Sequence, residues 1–303
     1  MSLRIKGFAG FVLICLLWGS SWAAVKLGLE SIPPLLALGM RFVLASTILG
    51  LIVLWKHLAV PRTKKFWTLV LILIGTSFTI PFVLIYWGQQ RVDSGLSAVL
   101  FATYPFWVAL VSHFLLPQEK ITIVRMIGIV MGFIGVLFIF KESFTVEAPG
   151  TFYGMAAIIA GAIIQAFGLV FLRRLGEEAH PVTLNFCSMS ISGVALFAAS
   201  LLLEDLSALK ISMQAIGAVF YLSIFCTVIT FVVYFWLVKY IEVVVLSLSA
   251  FITPIIAVAV GVILMGETVA QSVYIGSALV LIGVACASIG DIYALYSQET
   301  AKE

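Results

Sequence analysis

The chain has 303 residues, of which 63% are hydrophobic and 10% are charged, and its net charge at neutral pH is +3. Soluble domains carry about 25% charged residues, so the composition excludes a soluble domain, and the small net charge gives no reason to expect nucleic acid as a partner. We predict an all-α integral membrane protein, because lipid offers no partners to unpaired backbone groups. The four cysteines lie in apolar runs without Cys-x-x-Cys spacing and are interpreted as buried apolar residues.

Apolar stretches follow one another from the N-terminus with short connections, and each approaches the 20 or so residues that cross a bilayer. The first stretch follows Arg4 and Lys6 as in a signal peptide. It is long enough to span, however, and no small-residue cleavage site follows before Lys26. We therefore predict ten transmembrane helices, at 8–28, 34–55, 66–88, 94–116, 121–140, 150–172, 182–203, 213–238, 243–265 and 271–290.

The positions of lysine and arginine predict the orientation. Twelve of the 17 basic residues lie at the termini or in even-numbered connections, four lie on the other side, and Arg41 lies within a span. Because basic residues accumulate in cytoplasmic loops, we expect both termini in the cytoplasm.

The chain contains a repeat of about half its length. Tryptophan precedes proline by 18 residues in both copies, and glutamate precedes glycine by 16. These landmarks are Trp87, Pro105, Glu119 and Gly135 in one copy, and Trp236, Pro254, Glu267 and Gly283 in the other. We predict two five-helix repeats, 1–145 and 146–303, in one membrane domain. An odd number of spans makes the second copy insert upside down, an arrangement typical of secondary transporters with a midplane site between the halves.

Several segments resemble a known family. The sequences WGSSWAAVKLGLESIPPLLALGMRF, TYPFWVAL and ITPIIAVAVGVILMGE, with GxxxxxxGV in spans 5 and 10, resemble the EamA-type branch of the drug/metabolite transporter superfamily over essentially the whole chain. The resemblance implies a multi-pass carrier of the bacterial inner membrane, usually an exporter of amino acids and other small metabolites. It also implies a central cavity lined mainly by spans 1, 3, 4, 6, 8 and 9.

Polar and aromatic residues deep in those six spans are the candidates for binding a solute. Trp18 and Trp22 share one face of span 1 and lie too deep for an interfacial aromatic belt; packing against neighbouring helices is the alternative. Likewise, Ser21 can bond its own backbone, and Gln165 can join two helices instead of binding substrate. The predicted substrate-binding residues are Trp18, Ser21, Trp22, Ser77, Thr79, Tyr86, Thr103, Tyr104, Gln165, Thr227, Thr230, Tyr234, Ser249 and Thr253.

Pro105 and Pro254 occupy equivalent positions in the two repeats. Each leaves a carbonyl four residues earlier without its usual donor and can bend its helix. A pair of bends suits a rocking gate, so both are predicted hinges; static kinks for packing are the alternative.

Two basic residues lie within or near spans. Lys26 can extend to the outer headgroups. Arg41 either binds an anionic group of the substrate or braces the fold through carbonyls and a carboxylate, Glu30 or Asp93. The resemblance does not imply that span 2 is a principal cavity helix, so a structural role is favoured for Arg41. A structural role is also assigned to Lys26.

The sequence lacks other functional signals. No Asp or Glu lies at the centre of a span, which favours a facilitator or exchanger; a proton path without such a carboxylate is the alternative. No phosphate-binding glycine loop is present, so direct use of ATP is not expected. We predict neither an enzyme nor a cofactor or metal site. The G-x-x-x-G pattern of span 5 favours close packing either within the chain or in a homodimer.

The predicted function is therefore secondary transport, with export of amino acids or related amphipathic metabolites by alternating access as the leading hypothesis. The partners would be a small-molecule substrate and the lipid bilayer. Two alternatives remain open: export of organic cations, which aromatic walls would accept by cation–π contact, and import or exchange of metabolites.

Overall fold

A computed structural model describes residues 3–116, 122–143, 150–175, 179–207, 209, 212–237, 249–268 and 270–300, and all regular structure in these ranges is helical. The helices are α1 (Leu3–Leu29), α2 (Pro34–Trp55), α3 (Lys64–Gln89), α4 (Ser94–Leu115), α5 (Ile123–Ser143), α6 (Thr151–Leu175), α7 (Pro181–Leu203), α8 (213–237), α9 (Ser249–Met265) and α10 (Gln271–Thr300).

Within the described ranges, seven helices are long and apolar enough to cross a membrane, namely α1 to α4 and α6 to α8. Shorter apolar stretches lie in α5, α9 and α10. The all-helical, multi-pass class is thus confirmed, and the count of ten spans stays a prediction. The start of predicted span 9 falls in 238–248, outside the described residues.

The packing of the helices is symmetric between the two halves of the chain: the main contacts between two helices have equivalent contacts between their counterparts in the other half. Helix α2 packs along α7, and α5 packs along α10. Helix α1 contacts α8 and α9, and correspondingly α6 contacts α3 and α4. The duplication predicted from the spacing of landmarks is therefore visible in the packing.

The same symmetry between the two halves is present in the contacts of single residues at the α2–α7 interface. A Cβ on Gly39 would lie 2.9 Å from the Cα of Phe197, and a Cβ on Gly50 would lie 2.8 Å from the ring of Phe186. Pro34 and Pro181 begin the two helices, so Gly39 matches Phe186 in position and Gly50 matches Phe197. Each contact is thus the counterpart of the other.

Glycines bring α5 and α10 together in the same way. A Cβ on Gly135 would lie 2.6 Å from the carbonyl oxygen of Gly276, and a Cβ on Gly283 would lie 2.5 Å from that of Gly128. Small residues permit such close approach of helix backbones. The glycines of α5 therefore serve packing within the chain.

Helices α3 and α8 each contain a π-helical segment at corresponding positions, Ile74–Thr79 and Tyr221–Ile229. In α8, the hydroxyl of Thr227 donates to the carbonyl of Leu222, five residues earlier, at 2.8 Å. π-Helical segments occur frequently at functional sites. The sequence pattern did not predict either segment.

The two predicted hinge prolines lie in different backbone settings. Helix α4 is interrupted at 102–103, between Ser94–Phe101 and Tyr104–Leu115, directly before Pro105. Helix α9 continues through Pro254 from Ser249 to Met265. Within the described part of the chain, the interruption is therefore present at one of the two equivalent sites, and a hinge role for either proline stays a prediction.

Candidate functional site

A cavity of about 870 Å³ lies at the centre of the helix bundle. Its walls come from α1, α3, α4, α6, α8 and α9, as the family resemblance implies, and also from α2 and α7. No described residue of α5 or α10 lines it. Cavities of this size hold small molecules and are mostly apolar with a few placed polar groups.

Most of the predicted site residues lie at this cavity. Those in the wall are Trp18, Ser21, Trp22, Ser77, Tyr86, Tyr104, Pro105, Gln165, Thr227, Tyr234, Ser249, Thr253 and Pro254. Their shared position makes them one candidate site; their roles in binding stay predictions.

Three predicted residues, Thr79, Thr103 and Thr230, are not among the described residues of the wall, so the structure does not bring them together with the others. The hydroxyl of Thr79 bonds Ser192 on α7 at 3.2 Å. Thr103 and Thr230 donate to carbonyls of their own helices, at 2.7 and 2.6 Å. Hydroxyls deep in a helix bundle commonly satisfy themselves this way, and residue type alone did not separate these three from the others.

Aromatic rings from several helices form one side of the cavity. Trp18 packs against Tyr234 with ring centroids 5.9 Å apart, and Trp22 packs against Phe101 at 5.4 Å. Phe101 in turn stacks on Tyr104 at 5.6 Å. The tryptophans of span 1 therefore both pack against neighbours and line the cavity.

Arg41 is buried and lies in the cavity wall, with 8% of its surface exposed. Its Nη1 donates to the hydroxyl of Tyr86 at 3.1 Å, and its Nε and Nη2 donate to the Oγ1 of Thr227 at 3.3 and 3.2 Å. The guanidinium also lies over the ring of Phe82, 5.3 Å from its centroid. All of these contacts are with uncharged side chains.

The predicted carboxylate partners of Arg41 are wrong. Asp93 forms its ion pair with Lys26 instead, and no ion pair joins Glu30 to another described residue. The prediction failed because pairing across helices far apart in sequence is not visible in the spacing of charges along the chain.

Lys26 belongs to an ionic cluster at one end of the cavity. Its ammonium donates to Asp93 and also to Oε1 of Glu267, which lies 3.3 Å away. The Glu267 carboxylate also accepts the backbone N–H groups of Ser94 and Gly95, at 2.7 and 3.0 Å. Lys26 therefore has carboxylate partners within the protein rather than extending to lipid, in keeping with the structural role assigned to it.

The position of the Glu267 carboxylate depends on a glycine that lies beside it. A Cβ on Gly261 would lie 2.2 Å from Oε2 of Glu267. Burial of Glu267 by itself raises its pKa, but the N–H groups of Gly95 and Ser94 and the ammonium of Lys26 outweigh burial and hold the pKa below its ordinary value. The carboxylate is thus ionised at neutral pH.

Gln89 is a buried member of the wall that sequence reasoning missed, and it has 1% of its surface exposed. Its Nε2 donates to the backbone carbonyl of Trp22 at 3.1 Å, and its Oε1 has no hydrogen-bond partner among the described residues. It lies one helical turn beyond Tyr86, so the two share a face. It was missed because it lies at the predicted end of span 3, shortly before Arg91, where a loop residue is expected.

The two ends of the cavity differ. At the end near the Lys26 cluster, the lining residues Gln89 and Val25 are buried. At the other end the lining continues to Pro181 and to Arg173, which is exposed. Arg41 and Arg173 are the charged side chains among the described lining residues. No described cluster of three His, Cys, Asp or Glu side chains has the arrangement needed to hold a metal ion.

Relatives of the chain are named as transporters. The chain is 28% identical to the "Uncharacterized transporter YoaV" of Bacillus subtilis, over 92% of this chain and 96% of that protein. It is 27% identical to the "Uncharacterized inner membrane transporter YedA" of Escherichia coli, over 93% and 90%.

A protein of known crystal structure shares the fold, with a TM-score of 0.66 and 21% identity over 95% of this chain and 96% of that one. The model of the EamA-like transporter family matches the chain twice, at residues 5–141 and 152–289. The chain therefore belongs to the EamA-like transporter family and carries the family unit in duplicate.

Proposed function

We propose that the protein is a secondary transporter that exports small amphipathic metabolites, such as amino acids, across the inner membrane by alternating access. The central observation is a cavity lined by described residues of both family units, with the buried residues Val25 and Gln89 at the Lys26 end and the exposed Arg173 at the other end. A carrier needs a site that is reached from one side at a time, and this cavity has the form of one such state.

The proposal includes an inverted arrangement of the two repeats. Helices α4 and α9 are repeat counterparts. Glu267 follows the C-terminal end of α9 by two residues and binds the N–H groups at the N-terminal end of α4. Counterpart helices thus run in opposite directions at this end, as expected when one repeat inserts upside down.

The distribution of basic residues supports the proposed direction. The α6–α7 connection lies on the side that carries most Lys and Arg, which the positive-inside rule assigns to the cytoplasm. The cavity reaches this connection, so a cytoplasmic solute has access to it. The Lys26 cluster would then close the outer side, and both termini would be cytoplasmic.

The wall chemistry supports the proposed substrate class. Aromatic rings would accept an apolar part, whereas Ser77, Gln165 and Gln89 offer neutral polar groups. The aromatic wall also suits the second candidate, an organic cation, but the described charges in the wall are positive and oppose it.

Counterflow into proteoliposomes tests the transport proposal. Vesicles containing the purified chain are loaded with one unlabelled amino acid, and uptake of the same labelled compound is followed for each member of an amino-acid panel. We expect transient accumulation of at least one compound, which vanishes in vesicles without protein. A flux that never accumulates above equilibrium and does not saturate would indicate a channel and contradict the proposal.

A further inference from the structure

The charge of Arg41 is not balanced by any described side chain around it. The carboxylates whose side chains the structure describes are Glu30, Asp93, Glu204, Asp205 and Glu267, and none of these is within ion-pair distance of the Arg41 guanidinium. The remaining acidic residues lie outside the spans or at their ends in the sequence. Buried charges are normally paired, because removing an ion from water is costly.

The hydrogen bonds of Arg41 leave donors unused. A guanidinium has five N–H groups, and three of them donate to the hydroxyls of Tyr86 and Thr227. One N–H on each terminal nitrogen therefore has no acceptor among the described residues. The two terminal nitrogens share the carbon Cζ, and one N–H from each can bind the two oxygens of a carboxylate.

The surroundings hold the guanidinium at the cavity rather than neutralise it. Thr227 lies in the π-helical segment of α8 and donates its own proton to Leu222, so its Oγ1 presents lone pairs to Arg41. Phe82 lies against the guanidinium, and Tyr86 fixes one terminal nitrogen. Three helices thus position one cation in the wall of the cavity.

We propose that Arg41, positioned by Tyr86 and Thr227, is the anion-binding subsite of the cavity, and that the substrate is an organic carboxylate with an apolar or aromatic body. The carboxylate binds the unused N–H groups of Arg41, and the aromatic wall receives the body. This inference rests on the proposed transport function, whose substrate class it specifies. It reverses the structural role that the sequence favours for Arg41.

Matched ligands separate the charge requirement from the fit of the body. The probes are 3-phenylpropionate, phenethylamine and L-phenylalanine, together with a panel of other monocarboxylates and the amines of the same skeletons. Binding to the purified full chain at millimolar concentration is measured by thermal stabilisation and by titration calorimetry. We expect stabilisation by carboxylates, including amino acids, and none by the matched amines.

Variants assign the selectivity to one residue. Arg41→Gln weakens carboxylate binding about 10- to 100-fold, the range for hydrogen bonds to a charged group. Arg41→Lys keeps the charge without the fork, so it retains the preference for carboxylates over amines at lower affinity. Arg62→Gln, an exposed change in the α2–α3 connection, leaves affinity unchanged.

Several results would overturn the assignment: equal stabilisation by amines, carboxylate binding that survives Arg41→Gln, or no stabilisation by any carboxylate. A large loss of thermal stability in ligand-free Arg41→Gln that Arg41→Lys restores would indicate a bracing role instead. Counterflow of the best-bound carboxylate keeps the two proposals apart. Selective binding of carboxylates without counterflow would contradict the transport proposal and leave the anion subsite in place. Counterflow of amines would contradict the anion subsite and leave the transport proposal in place.

Discussion

Glu267 lies 3.3 Å from Lys26 and joins the two halves of the molecule at one end of the cavity. The two residues are 241 positions apart and belong to different copies of the family unit. The same carboxylate accepts N–H groups of Ser94 and Gly95, so one side chain links α1, α4 and the α9–α10 connection. Under the proposed alternating access, opening the cavity at this end would require these bonds to break.

Removing the charge of Glu267 should loosen that end. Glu267→Gln weakens the ion pair and the charge-assisted bonds to α4, and we expect the free energy of unfolding to fall by about 2 kcal/mol. Thermal unfolding in detergent measures the change. Glu30→Gln is the control, because Glu30 is exposed and forms no ion pair with a described residue. Equal stability of the two variants would show that the cluster contributes nothing.

The same carboxylate predicts a pH dependence with a definite sign. The pKa of Glu267 is lower in the folded protein than its ordinary value of 4.5, so its contribution to stability is complete above that value. It is lost as pH falls through the lowered pKa. We expect the difference in melting temperature between the wild-type chain and Glu267→Gln to be constant near neutral pH and to shrink below about pH 4.5. A difference that grows on acidification would contradict this sign.

The α5–α10 interface should not tolerate an added methyl group. Gly135→Ala would place its Cβ against the backbone of Gly276, and we expect a loss of about 1–3 kcal/mol in the free energy of unfolding. Gly217 lies in α8 with nothing within 4 Å of an added Cβ. Gly217→Ala should therefore be neutral or stabilising by up to about 1 kcal/mol. Similar melting temperatures for both variants would contradict the close packing.

Gln89 should increase the affinity for ligands that carry an ammonium group over ligands that lack one. Its Oε1 has no described partner, so Gln89→Leu removes an acceptor that an ammonium group would use. We expect binding of L-phenylalanine to weaken about tenfold relative to 3-phenylpropionate, the equivalent of one hydrogen bond. The ratio cancels any shared effect of losing the bond to Trp22. Gln90→Leu is the exposed control, and an unchanged ratio in Gln89→Leu would exclude the acceptor role.

The sequence predicted the features that repeat along the chain. The bounds of α2 agree with the predicted span 34–55, and most other helices begin or end within a few residues of prediction. The position of Trp18, Tyr104 and Thr227 at the cavity could be predicted, because hydropathy and the repeat indicate how deep each residue lies in its span and to which span it belongs. The family resemblance added which helices face the centre.

The remaining features depend on contacts between distant segments. Hydropathy gives no signal for the π-helical segments of α3 and α8, and it does not show that Asp93 pairs with Lys26 instead of Arg41. The contribution of α2 was underestimated because the family expectation assigns the cavity to other helices. A charge near the middle of α2 was nevertheless the strongest signal available in the sequence, since such charges normally face protein or water.

The central claim is that one cavity opens to one side of the membrane at a time. The most direct test is the labelling of Ser77→Cys by a membrane-impermeant maleimide, in a chain whose four native cysteines are replaced, in vesicles of known orientation. In the chain with an intact Lys26 cluster, we predict labelling from the cytoplasmic side alone. When Lys26→Met and Glu267→Gln are combined, we predict added labelling from the outside and a matching decrease in labelling from the cytoplasmic side. Equal labelling from both sides in the chain with an intact cluster would describe an open channel and contradict alternating access.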